Sequence, residues 1–389
     1  MRILITGTNY RGLNGQAIFT VNLAEGLAGR GNNVTAVFPS DEDRAYSAIR
    51  KAVHLEGIGS IRLTFLHPDT YLPVTSAKAI RDIFNAARPE IVHIQDHYPL
   101  SRVVLREAWR RGIKTMGTNH FMPENLAPYI PGLSRIKPVF NWLLWKWMLD
   151  VYNRVEMVAA QSRAAAELVR AQGLRPPVIP VSCGIDLRRF HPDASIDRMD
   201  CRAKYGLDLH CKLFLFVGRV DREKRVDVLL HALARLGHRN DIQLVIAGRG
   251  AASKDYQALA DSLNLGQRVR FTGFIPNEDL HVLLNSVDVF TMPSEAELLS
   301  IASLEAMACG RPLLLADAVA LPELVTPGVN GYLFKPGDPE DAAHYMEVLA
   351  DQCERWEQMG KASVEKAQEH SLEKTVQRYE ELYQRVISN

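Results

Sequence analysis

The stretch Thr291–Val325, TMPSEAELLSIASLEAMACGRPLLLADAVALPELV, organises the second half of this chain. The β-branched and aromatic run Val287–Phe290, which leads into it, predicts a buried strand. Good helix formers then predict a helix that begins near Ser300 and ends at Gly310. Leu313–Ala316 predicts the next buried strand, so the stretch predicts a strand-loop-helix-strand unit of an α/β protein.

Two glutamates lie on either side of the predicted helix start. Glu297 is in the loop and Glu305 is within the helix, and eight helical residues span about 12 Å. Two carboxylates at this spacing suit two parts of one long ligand, and the helix N-terminus between them favours an anion. The alternative is a surface cap at Glu297 and a solvated side chain at Glu305. The apolar neighbours of Glu305 argue against it, because a buried carboxylate needs a partner.

The length and composition indicate an ordinary globular protein of two domains. The chain has 389 residues, of which 47% are hydrophobic and 23% are charged. Its 5 cysteines form no CxxC pair and no Cys/His metal spacing, so we expect no zinc site, no disulfide framework and a reducing compartment. MRILITG leads directly into a strand, and no run of 18 apolar residues occurs. We therefore expect neither a signal peptide nor a transmembrane helix.

The net charge of +1 hides an asymmetry between the two halves of the chain. Residues 1–195 carry 24 Lys and Arg against 16 Asp and Glu, whereas residues 196–389 carry 22 against 29. A basic half suggests an anionic surface or substrate. The alternative is a drift in composition between two domains that has no functional meaning.

The first half alternates predicted strands and helices, which indicates a parallel sheet with helices on both faces and ligands at the carboxyl ends of the strands. The predicted strands are Ile3–Thr6, Val34–Phe38, Arg62–Leu66, Ile91–Ile94, Lys114–Gly117, Met157–Ala160 and Val178–Val181. The predicted helices are Ala17–Ala28, Ala77–Ala86, Leu100–Arg110, Arg135–Arg154 and Arg163–Gln172.

Two loops of the first half follow predicted strands. Arg11–Gly15 is rich in glycine but is not GxGxxG, so an ordinary tight turn is an equal alternative. Gly117–Asn125 carries polar side chains suited to sugar hydroxyls, among them Asn119, His120 and Glu124. The alternative for His120 is a plain surface histidine.

The second half begins a new alternation of strands and helices. Its further predicted elements are the strands Leu213–Val217, Ile242–Ala247 and Val269–Thr272 and the helices Val226–Leu236, Glu278–Asn285, Pro339–Leu349, Asp351–His370 and Leu372–Val386. The loop Gly218–Arg225 contains Arg219 and Lys224, two cations at a strand's carboxyl end that would neutralise a diphosphate. The alternative is a solvated charge run, which Asp221, Arg222 and Glu223 resemble.

Pro138–Tyr152 is a basic aromatic helix in the first half. Spacing predicts that Trp142, Trp145, Leu149 and Tyr152 share one face. This face either packs in the core or lies at a membrane interface, with Arg135, Lys137 and Lys146 near lipid headgroups. A nearby cluster, Arg102, Arg106, Arg110 and Arg111, favours the second alternative, because basic residues near an anionic leaflet contribute about 1 kcal/mol each.

The pattern Glu297-x7-Glu305 followed by Ala-Met-Ala-Cys-Gly-Arg-Pro resembles the signature of family 4 retaining glycosyltransferases. The similarity extends to Pro293-Ser294 and to Leu321-Pro322-Glu323, and Cys183–Phe190 resembles the family's interdomain turn. It implies an α/β protein of GT-B fold, with two Rossmann-like domains whose parallel sheets face each other across a cleft. We expect an acceptor-side domain at 1–185, a nucleotide-sugar-binding domain at 186–370, and a helix at 371–389 that crosses back to the first domain.

The resemblance implies transfer of a hexose from a nucleoside diphosphate sugar, UDP-linked rather than GDP-linked, with retention at the anomeric carbon. The nucleotide sugar is then a co-substrate, and neither a cofactor nor a metal is required. Arg219 and Lys224 would stabilise the leaving diphosphate. Glu297 would bind hydroxyls of the donor sugar, Glu305 the nucleotide ribose, and His120 would line the other side of the sugar.

The resemblance also assigns binding positions. Catalytic roles fall to His120, Arg219, Lys224 and Glu297. The donor would contact Gly15, Gly218, Arg219, Lys224, Gly248, Phe274, Ile275, Glu297, Leu298, Leu299, Ser300 and Glu305. The acceptor would contact Asn14, Asn119 and Glu124. This chain departs from the family pattern at three places. Leu298–Ser300 replaces a glycine-containing segment, Arg225 replaces a glycine after the lysine, and Cys183 replaces the asparagine of the interdomain turn.

For the acceptor we expect a membrane lipid such as diacylglycerol or a saccharide, and no nucleic acid. With a lipid acceptor, the enzyme would be cytoplasmic and peripheral on the inner, anionic face of the cell membrane. A soluble saccharide acceptor is one alternative. A nucleotide-sugar epimerase of the same fold and a non-catalytic sugar-binding protein are two others, and the four matching residues Arg219, Lys224, Glu297 and Glu305 disfavour the last.

Overall fold

The computed structural model describes residues 1–8, 10, 15–40, 44–62, 71–74, 77–122 and 137–389. It divides into two compact units. The first comprises Met1–Gly184 and Leu372–Asn389, and the second comprises Ile185–Ser371. The domain boundaries predicted from the sequence lie between residues 185 and 186 and between residues 370 and 371.

The first unit is built on a sheet of eight strands in the order β10-β9-β8-β7-β1-β2-β4-β3, beside a two-stranded sheet of β5 and β6. The strands are β1 (Arg2–Thr6), β2 (Asn33–Pro39), β3 (Tyr46–Arg50), β4 (Val53–Ile58), β5 (Ser60–Arg62), β6 (Tyr71–Pro73), β7 (Ile91–Ile94), β8 (Lys114–Asn119), β9 (Met157–Ala160) and β10 (Val178–Pro180). The helices are α1 (Gly15–Gly29), α2 (Ala77–Ala87), α3 (Pro99–Arg110), α4 (Lys137–Tyr152) and α5 (Arg163–Ala171).

The second unit has one sheet of six strands in the order β13-β12-β11-β14-β15-β16. The strands are β11 (Lys212–Val217), β12 (Ile242–Ala247), β13 (Val269–Gly273), β14 (Val289–Met292), β15 (Leu313–Ala316) and β16 (Gly331–Phe334). The helices are α6 (Arg198–Tyr205), α7 (Val226–Arg235), α8 (Ser253–Ser262), α9 (Asn277–Ser286), α10 (Ile301–Ala308), α11 (Pro339–Asp351) and α12 (Trp356–Ala367). The chain then returns to the first unit as α13 (Leu372–Ser388), whose Val376 packs on Gly26 of α1.

The strand orders determine where ligands collect. All neighbouring strands of the second sheet are parallel, and its order is that of a Rossmann fold, which reverses direction between β11 and β14. In the first sheet the reversal lies between β1 and β7. Ligands of such sheets bind beyond the carboxyl ends of the strands at the reversal. The central strands are buried on both faces, so their side chains form the core of each unit.

The stretch Thr291–Val325 and the strand that leads into it fold as expected, with small shifts in the bounds of the elements. The strand occupies Val289–Met292, two residues later than predicted. Ser300 caps α10, because its Oγ accepts the N–H of Ser303, and Gly310 follows the helix in a left-handed conformation with φ of 72°.

Several elements were not predicted. The hairpin of β3 and β4 turns on Lys51 and Ala52, both at positive φ, where glycine or asparagine would have signalled a turn. Ion pairs from Arg50 and Lys51 to Glu25 of α1 accompany that turn. Helices α6 and α8 and strand β16 are short and were missed, and the predicted helix 351–370 is interrupted by a 3-10 turn at Cys353–Arg355.

Helix α4 has two different apolar surfaces. Trp145 and Tyr152 are buried, as a core helix requires, whereas Trp142 and Leu143 are more than half exposed. The predicted face is therefore buried at Trp145 and Tyr152 and exposed at Trp142, which lies near the beginning of the helix, before burial starts at Trp145. Among the helices of the described ranges, none is both long enough and apolar enough to cross a membrane.

Three of the four arginines of α3 that the sequence predicts to face an anionic surface are paired within the protein. Arg102 pairs with Asp150 of α4 at 2.8 Å. Arg110 and Arg111 both pair with the buried Glu107, and the hydrogen bond from Arg110 is the main cause that lowers the pKa of this carboxyl to about 2. Only Arg106 is left as an exposed cation on this helix with no ion pair among the described residues.

Candidate functional site

At the reversal in the second sheet, the loops after β11 and β14 meet through an ion pair. Lys224 Nζ donates to Glu297 Oε1 at 2.6 Å, and both side chains are more than four-fifths buried. The main-chain carbonyl of Glu223 also accepts the hydroxyl of Ser294 at 3.4 Å. The family resemblance assigns Lys224 to the diphosphate and Glu297 to the donor sugar. In this structure the two side chains pair with each other.

Arg219 is oriented by two carboxylates of its own loop. Its guanidinium lies 2.8 Å from Asp221 Oδ2 and 2.7 Å from Glu223 Oε1, and each carboxylate side chain is only 5% exposed. Asp221 Oδ1 also accepts the N–H of Ala251 in the loop after β12. The alternative of a solvated charge run is therefore wrong for these acids. The sequence signal for this arrangement is a pair of acidic residues, two and four positions after the arginine.

Arg225 explains one departure from the family pattern. It has φ of 52°, the left-handed conformation that glycine adopts most easily, and it directly precedes α7. Its guanidinium pairs with Asp227 at 3.2 Å and with Glu295, two residues before Glu297. An arginine here therefore accepts backbone strain and gains a link between the two loops of the site.

Glu305 lies on the second turn of α10, and none of the residues that the structure describes forms a hydrogen bond to its carboxylate. Its side chain is half-buried. Desolvation by the surrounding protein raises the pKa of the Glu305 carboxyl to about 7, and the positive charge of Arg189 opposes that rise. A half-buried acceptor without a hydrogen bond to the described residues suits ligand hydroxyls.

The segment between the two glutamates is held by its backbone and its apolar side chains. Leu298 and Leu299 are buried, and the Ser300 hydroxyl accepts hydrogen bonds from Ser303. Within the described chain, the main-chain N–H groups of Glu297, Leu298 and Leu299 donate no hydrogen bond to the protein. This segment therefore offers a ligand N–H groups rather than side chains.

The remaining predicted donor positions of the second unit lie at the same edge of its sheet. Gly218 follows β11 and Gly248 follows β12, and a Cβ on Gly248 would lie 1.8 Å from the carbonyl oxygen of Gly218. Only glycine therefore fits at 248. Phe274 and Ile275 follow β13, where Phe274 is exposed and Ile275 is buried.

In the first unit, His120 is fixed by two glutamines. Its Nε2 lies 2.8 Å from Gln95 Oε1, and its Nδ1 is bonded to the side-chain amide of Gln161. Nε2 therefore donates and Nδ1 accepts, which assigns a neutral ring, and burial lowers the pKa of His120 to about 3. This histidine is a positioned polar group and has no ring nitrogen available as a base.

The positions of the two glutamines relative to the predicted strands could have revealed them. Gln95, His120 and Gln161 directly follow the neighbouring strands β7, β8 and β9. Because the carboxyl ends of parallel strands meet at one edge, residues in this position must lie side by side.

A buried polar network supports this edge of the first sheet from behind. His93 Nδ1 is bonded to Tyr383 Oη at 2.7 Å, and its Nε2 is bonded to Thr118 Oγ1 at 2.8 Å. Thr118 also bonds Tyr379, and Gln95 lies within hydrogen-bond range of His93. Tyr379 and Tyr383 belong to α13, so the returning helix completes the network.

The other predicted acceptor positions are only partly described. Asn14 and Glu124 lie outside the described residues, and Gly15, which was predicted to contact the donor, is the first residue of α1 in the first unit. Asn119 is buried, with Oδ1 accepting the N–H of Phe121 and with no partner for Nδ2 in the described ranges. Asp96, which the sequence argument missed, is buried at the same edge, and burial raises its carboxyl pKa to about 6.

The chemistry of the second unit suits a polyhydroxylated anion. Two cations, free main-chain N–H groups and two carboxylates of different environment lie around the reversal point. The cations and N–H groups match phosphate oxygens, and the carboxylates match hydroxyl donors.

Comparisons with known proteins agree with this chemistry. Residues 13–189 match the family described as Glycosyltransferase Family 4, and residues 197–366 match the family described as Glycosyl transferases group 1. A D-inositol 3-phosphate glycosyltransferase of Corynebacterium aurimucosum is 32% identical over 337 residues, which are 82% of this chain and 78% of that protein.

Solved structures resemble the whole chain. Sucrose-phosphate synthase from Thermosynechococcus elongatus aligns with a TM-score of 0.82 and 20% identity, covering 99% of both chains. HepE from Anabaena, crystallised in complex with UDP-glucose, aligns with a TM-score of 0.77 and 18% identity over 98% of both chains. At these identities the likeness shows the fold alone, which is that of the GT-B glycosyltransferases.

Proposed function

Since the chain belongs to the family 4 glycosyltransferases of GT-B fold, we propose that it is a retaining hexosyltransferase. It takes the sugar from a nucleoside diphosphate sugar, with UDP preferred to GDP, and transfers it to an acceptor hydroxyl. The second unit binds this co-substrate, and the first unit supplies the acceptor side.

One arrangement carries the proposal. The reversal between β11 and β14 brings Lys224 and Glu297 to 2.6 Å from each other and places the unpaired carboxylate of Glu305 on the following helix. A diphosphate displaces Glu297 from Lys224, so Glu297 becomes available to hydroxyls of the sugar. Glu305 accepts the two hydroxyls of the ribose.

In the proposed reaction, the bond between the anomeric carbon and the diphosphate oxygen breaks as the acceptor oxygen bonds to the same face of that carbon. The acceptor's proton moves to the departing diphosphate. Arg219 and Lys224 stabilise the negative charge that develops on the diphosphate, and Asp221 and Glu223 keep the Arg219 guanidinium in position before the donor arrives. His120, neutral and held by two glutamines, acts as a polar contact and not as the base.

The preference for UDP rests on analogy. HepE was crystallised with UDP and with UDP-glucose, and the fold of this chain is similar to it. The exposed Phe274, beyond β13, offers an aromatic surface at the edge where the base would lie.

For the acceptor, we propose a membrane lipid reached through helix α4. Trp142 and Leu143 expose apolar surface beside Lys146, whose ammonium lies 5.0 Å from the centre of the Trp142 ring. Exposed tryptophan next to lysine is typical of a helix that lies in the headgroup region. The arginines of α3 add little to this surface, because three of them are paired within the protein.

The activity is tested with a panel of UDP- and GDP-linked sugars and release of the nucleoside diphosphate as the readout. We expect turnover with a UDP-sugar that rises on addition of a lipid extract containing diacylglycerol. NMR of the early product gives its anomeric configuration, and a product of inverted configuration would contradict retention. Epimerisation of the donor without any acceptor would favour the epimerase alternative.

The lipid part is tested by co-sedimentation with vesicles. We expect binding to anionic vesicles at low salt, loss of binding at high salt, and loss in the double variant Trp142→Ser, Leu143→Ser. Val329→Ser removes a similarly exposed apolar residue from the second unit and is the matched control. Equal binding by all variants, or none by the wild type, would overturn the lipid surface and favour a soluble acceptor such as a sugar phosphate.

A further inference from the structure

A group of possible metal ligands lies in the second unit and plays no part in the proposed reaction. His191 and Asp193 come from the segment that enters this unit, and His281 comes from α9. Each offers one ligand atom, and the three atoms lie within 4.8 Å of one another. Within the described ranges, these residues form the single group of this kind.

The geometry is close to that of a bound transition metal. His281 Nε2 lies 3.5 Å from Asp193 Oδ2. Two ligands of a tetrahedral zinc ion, each bonded at about 2.0–2.1 Å, lie roughly 3.3 Å apart. The pair therefore needs almost no adjustment, and His191, which is exposed, can rotate to close the third position. The same exposure gives an ion a route into the site.

The groups behind the ligands are also arranged as in metal sites. Asp193 Oδ1 accepts hydrogen bonds from the N–H and the hydroxyl of Ser195, so Oδ2 is the oxygen that faces His281. The other nitrogen of His281, Nδ1, lies 3.8 Å from Cys309 Sγ and 3.3 Å from Asn285 Nδ2. Such outer contacts fix the ring orientation of a ligating histidine.

The backbone around these ligands is already tied together. Asn285 of α9 donates to the carbonyl of His191, and its Oδ1 accepts the N–H of Asp193. The two ligand-bearing segments are therefore held at a fixed distance before any ion binds, which lowers the entropy cost of forming the site.

We propose that His191, Asp193 and His281 bind one divalent transition-metal ion of the zinc type, with water in the remaining position. Two histidines and one carboxylate are ligands of borderline softness, which favour Zn²⁺ over Mg²⁺ or Ca²⁺. The ion would clamp the entering segment onto α9. Sequence spacing gave no sign of it, because His281 is 88 residues from Asp193.

The test uses the full chain after treatment with EDTA. Zinc is titrated against a chromophoric chelator, and cobalt is added separately to record the visible absorption of its tetrahedral complex. We expect one zinc ion per chain at submicromolar affinity, and affinity at least tenfold weaker in His191→Ala, Asp193→Asn and His281→Ala. The control His238→Ala removes an exposed histidine that pairs with Glu347, and it should bind zinc like the wild type.

Thermal unfolding gives a second readout that does not depend on activity. Saturating zinc should raise the Tm of the wild type by about 5 °C and raise the Tm of Asp193→Asn by clearly less. Absence of stoichiometric zinc binding by the wild type would overturn the site. Equal losses of affinity in His281→Ala and His238→Ala would do the same, since they would indicate non-specific binding to surface histidines.

Discussion

The two units present opposite kinds of chemistry at the same position in their sheets. In the second unit, the reversal between β11 and β14 is lined by charged side chains that pair across loops, such as Lys224 with Glu297. In the first unit, the edge beyond β7, β8 and β9 holds the neutral His120 between two glutamines, and burial raises the pKa of the Asp96 carboxyl at this edge to about 6. One edge is held by ion pairs between loops and the other mainly by hydrogen bonds between uncharged groups.

This difference teaches which contacts can change when a ligand arrives. In an ion pair between two loops, the cation can exchange its carboxylate partner for a phosphate, because both are negatively charged. A buried network of neutral groups cannot exchange partners without leaving a polar atom unsatisfied, so it is a rigid support. Variants in the second unit should therefore affect nucleotide binding and turnover, and variants in the network of the first unit should affect stability.

The largest expected effect concerns the two cations of the second unit. Lys224→Ala or Arg219→Ala should lower kcat by about two decades, equivalent to about 3 kcal/mol, because one preorganised donor to the leaving diphosphate is lost. Lys361→Ala, which removes a lysine from an exposed pair on α12, should leave kcat unchanged. Steady-state kinetics with the active donor measures this, and wild-type turnover in both cation variants would refute the assignment.

The raised pKa of Glu305 predicts a pH-dependent stability difference. The folded state holds a proton on this carboxyl up to about pH 7, whereas a free glutamate loses it near 4.5, so folding is progressively weakened as pH rises through that window. Glu305→Gln removes this loss and should be more stable than the wild type at pH 8, by at most about 3 kcal/mol.

Urea denaturation of the wild type and of Glu305→Gln at pH 5 and pH 8 measures that difference. The advantage of the variant should be small at pH 5 and should grow towards pH 8. An advantage that is the same at both pH values would mean that the carboxyl is not strained by burial.

For the buried network of the first unit, we expect variants to lower stability and to leave nucleotide binding unchanged. Tyr383→Phe removes the 2.7 Å hydrogen bond between Tyr383 Oη and His93 Nδ1 and should lower the free energy of unfolding by about 1–3 kcal/mol. Affinity for UDP should stay the same. Tyr345→Phe, which removes a hydroxyl that has no hydrogen bond among the described residues, is the control. Loss of UDP affinity in Tyr383→Phe would contradict the assignment of nucleotide binding to the second unit and of structural support to the network of the first unit.

The smallest effect concerns the strained backbone at Arg225. Replacement by alanine removes the ion pairs and keeps the left-handed conformation, whereas replacement by glycine removes the pairs and relieves the strain. We expect Arg225→Gly to be about 1 kcal/mol more stable than Arg225→Ala in chemical denaturation. Equal stability of the two variants would show that the position carries no strain.

Much of the second unit could be predicted from sequence, because its site is coded in short local patterns. Glu297, the capping Ser300 and Glu305 lie within nine residues, and the strands around them are continuous apolar runs. The Lys224–Glu297 pair was beyond prediction, since 73 residues separate its members and only the parallel pairing of β11 with β14 joins their loops.

The first unit was predicted less completely for a physical reason. His120 was identified, but its partners Gln95 and Gln161 and the supporting His93 and Tyr383 are far apart in sequence and meet only through the strand order and α13. The hairpin of β3 and β4 was missed, because neither of its turn residues is a usual turn former. Asn14 and Glu124, predicted to contact the acceptor, stay predictions.

The division of labour between the two glutamates of the second unit is the central claim, and calorimetry with UDP alone tests it most directly. At pH 8, above the raised pKa of Glu305, Glu305→Gln should weaken UDP binding at least tenfold, because the ribose hydroxyls lose their charged acceptor. Glu297→Gln should bind UDP as tightly as the wild type or more tightly, because it releases Lys224 to the diphosphate. An equal loss of UDP affinity in both variants would contradict the account.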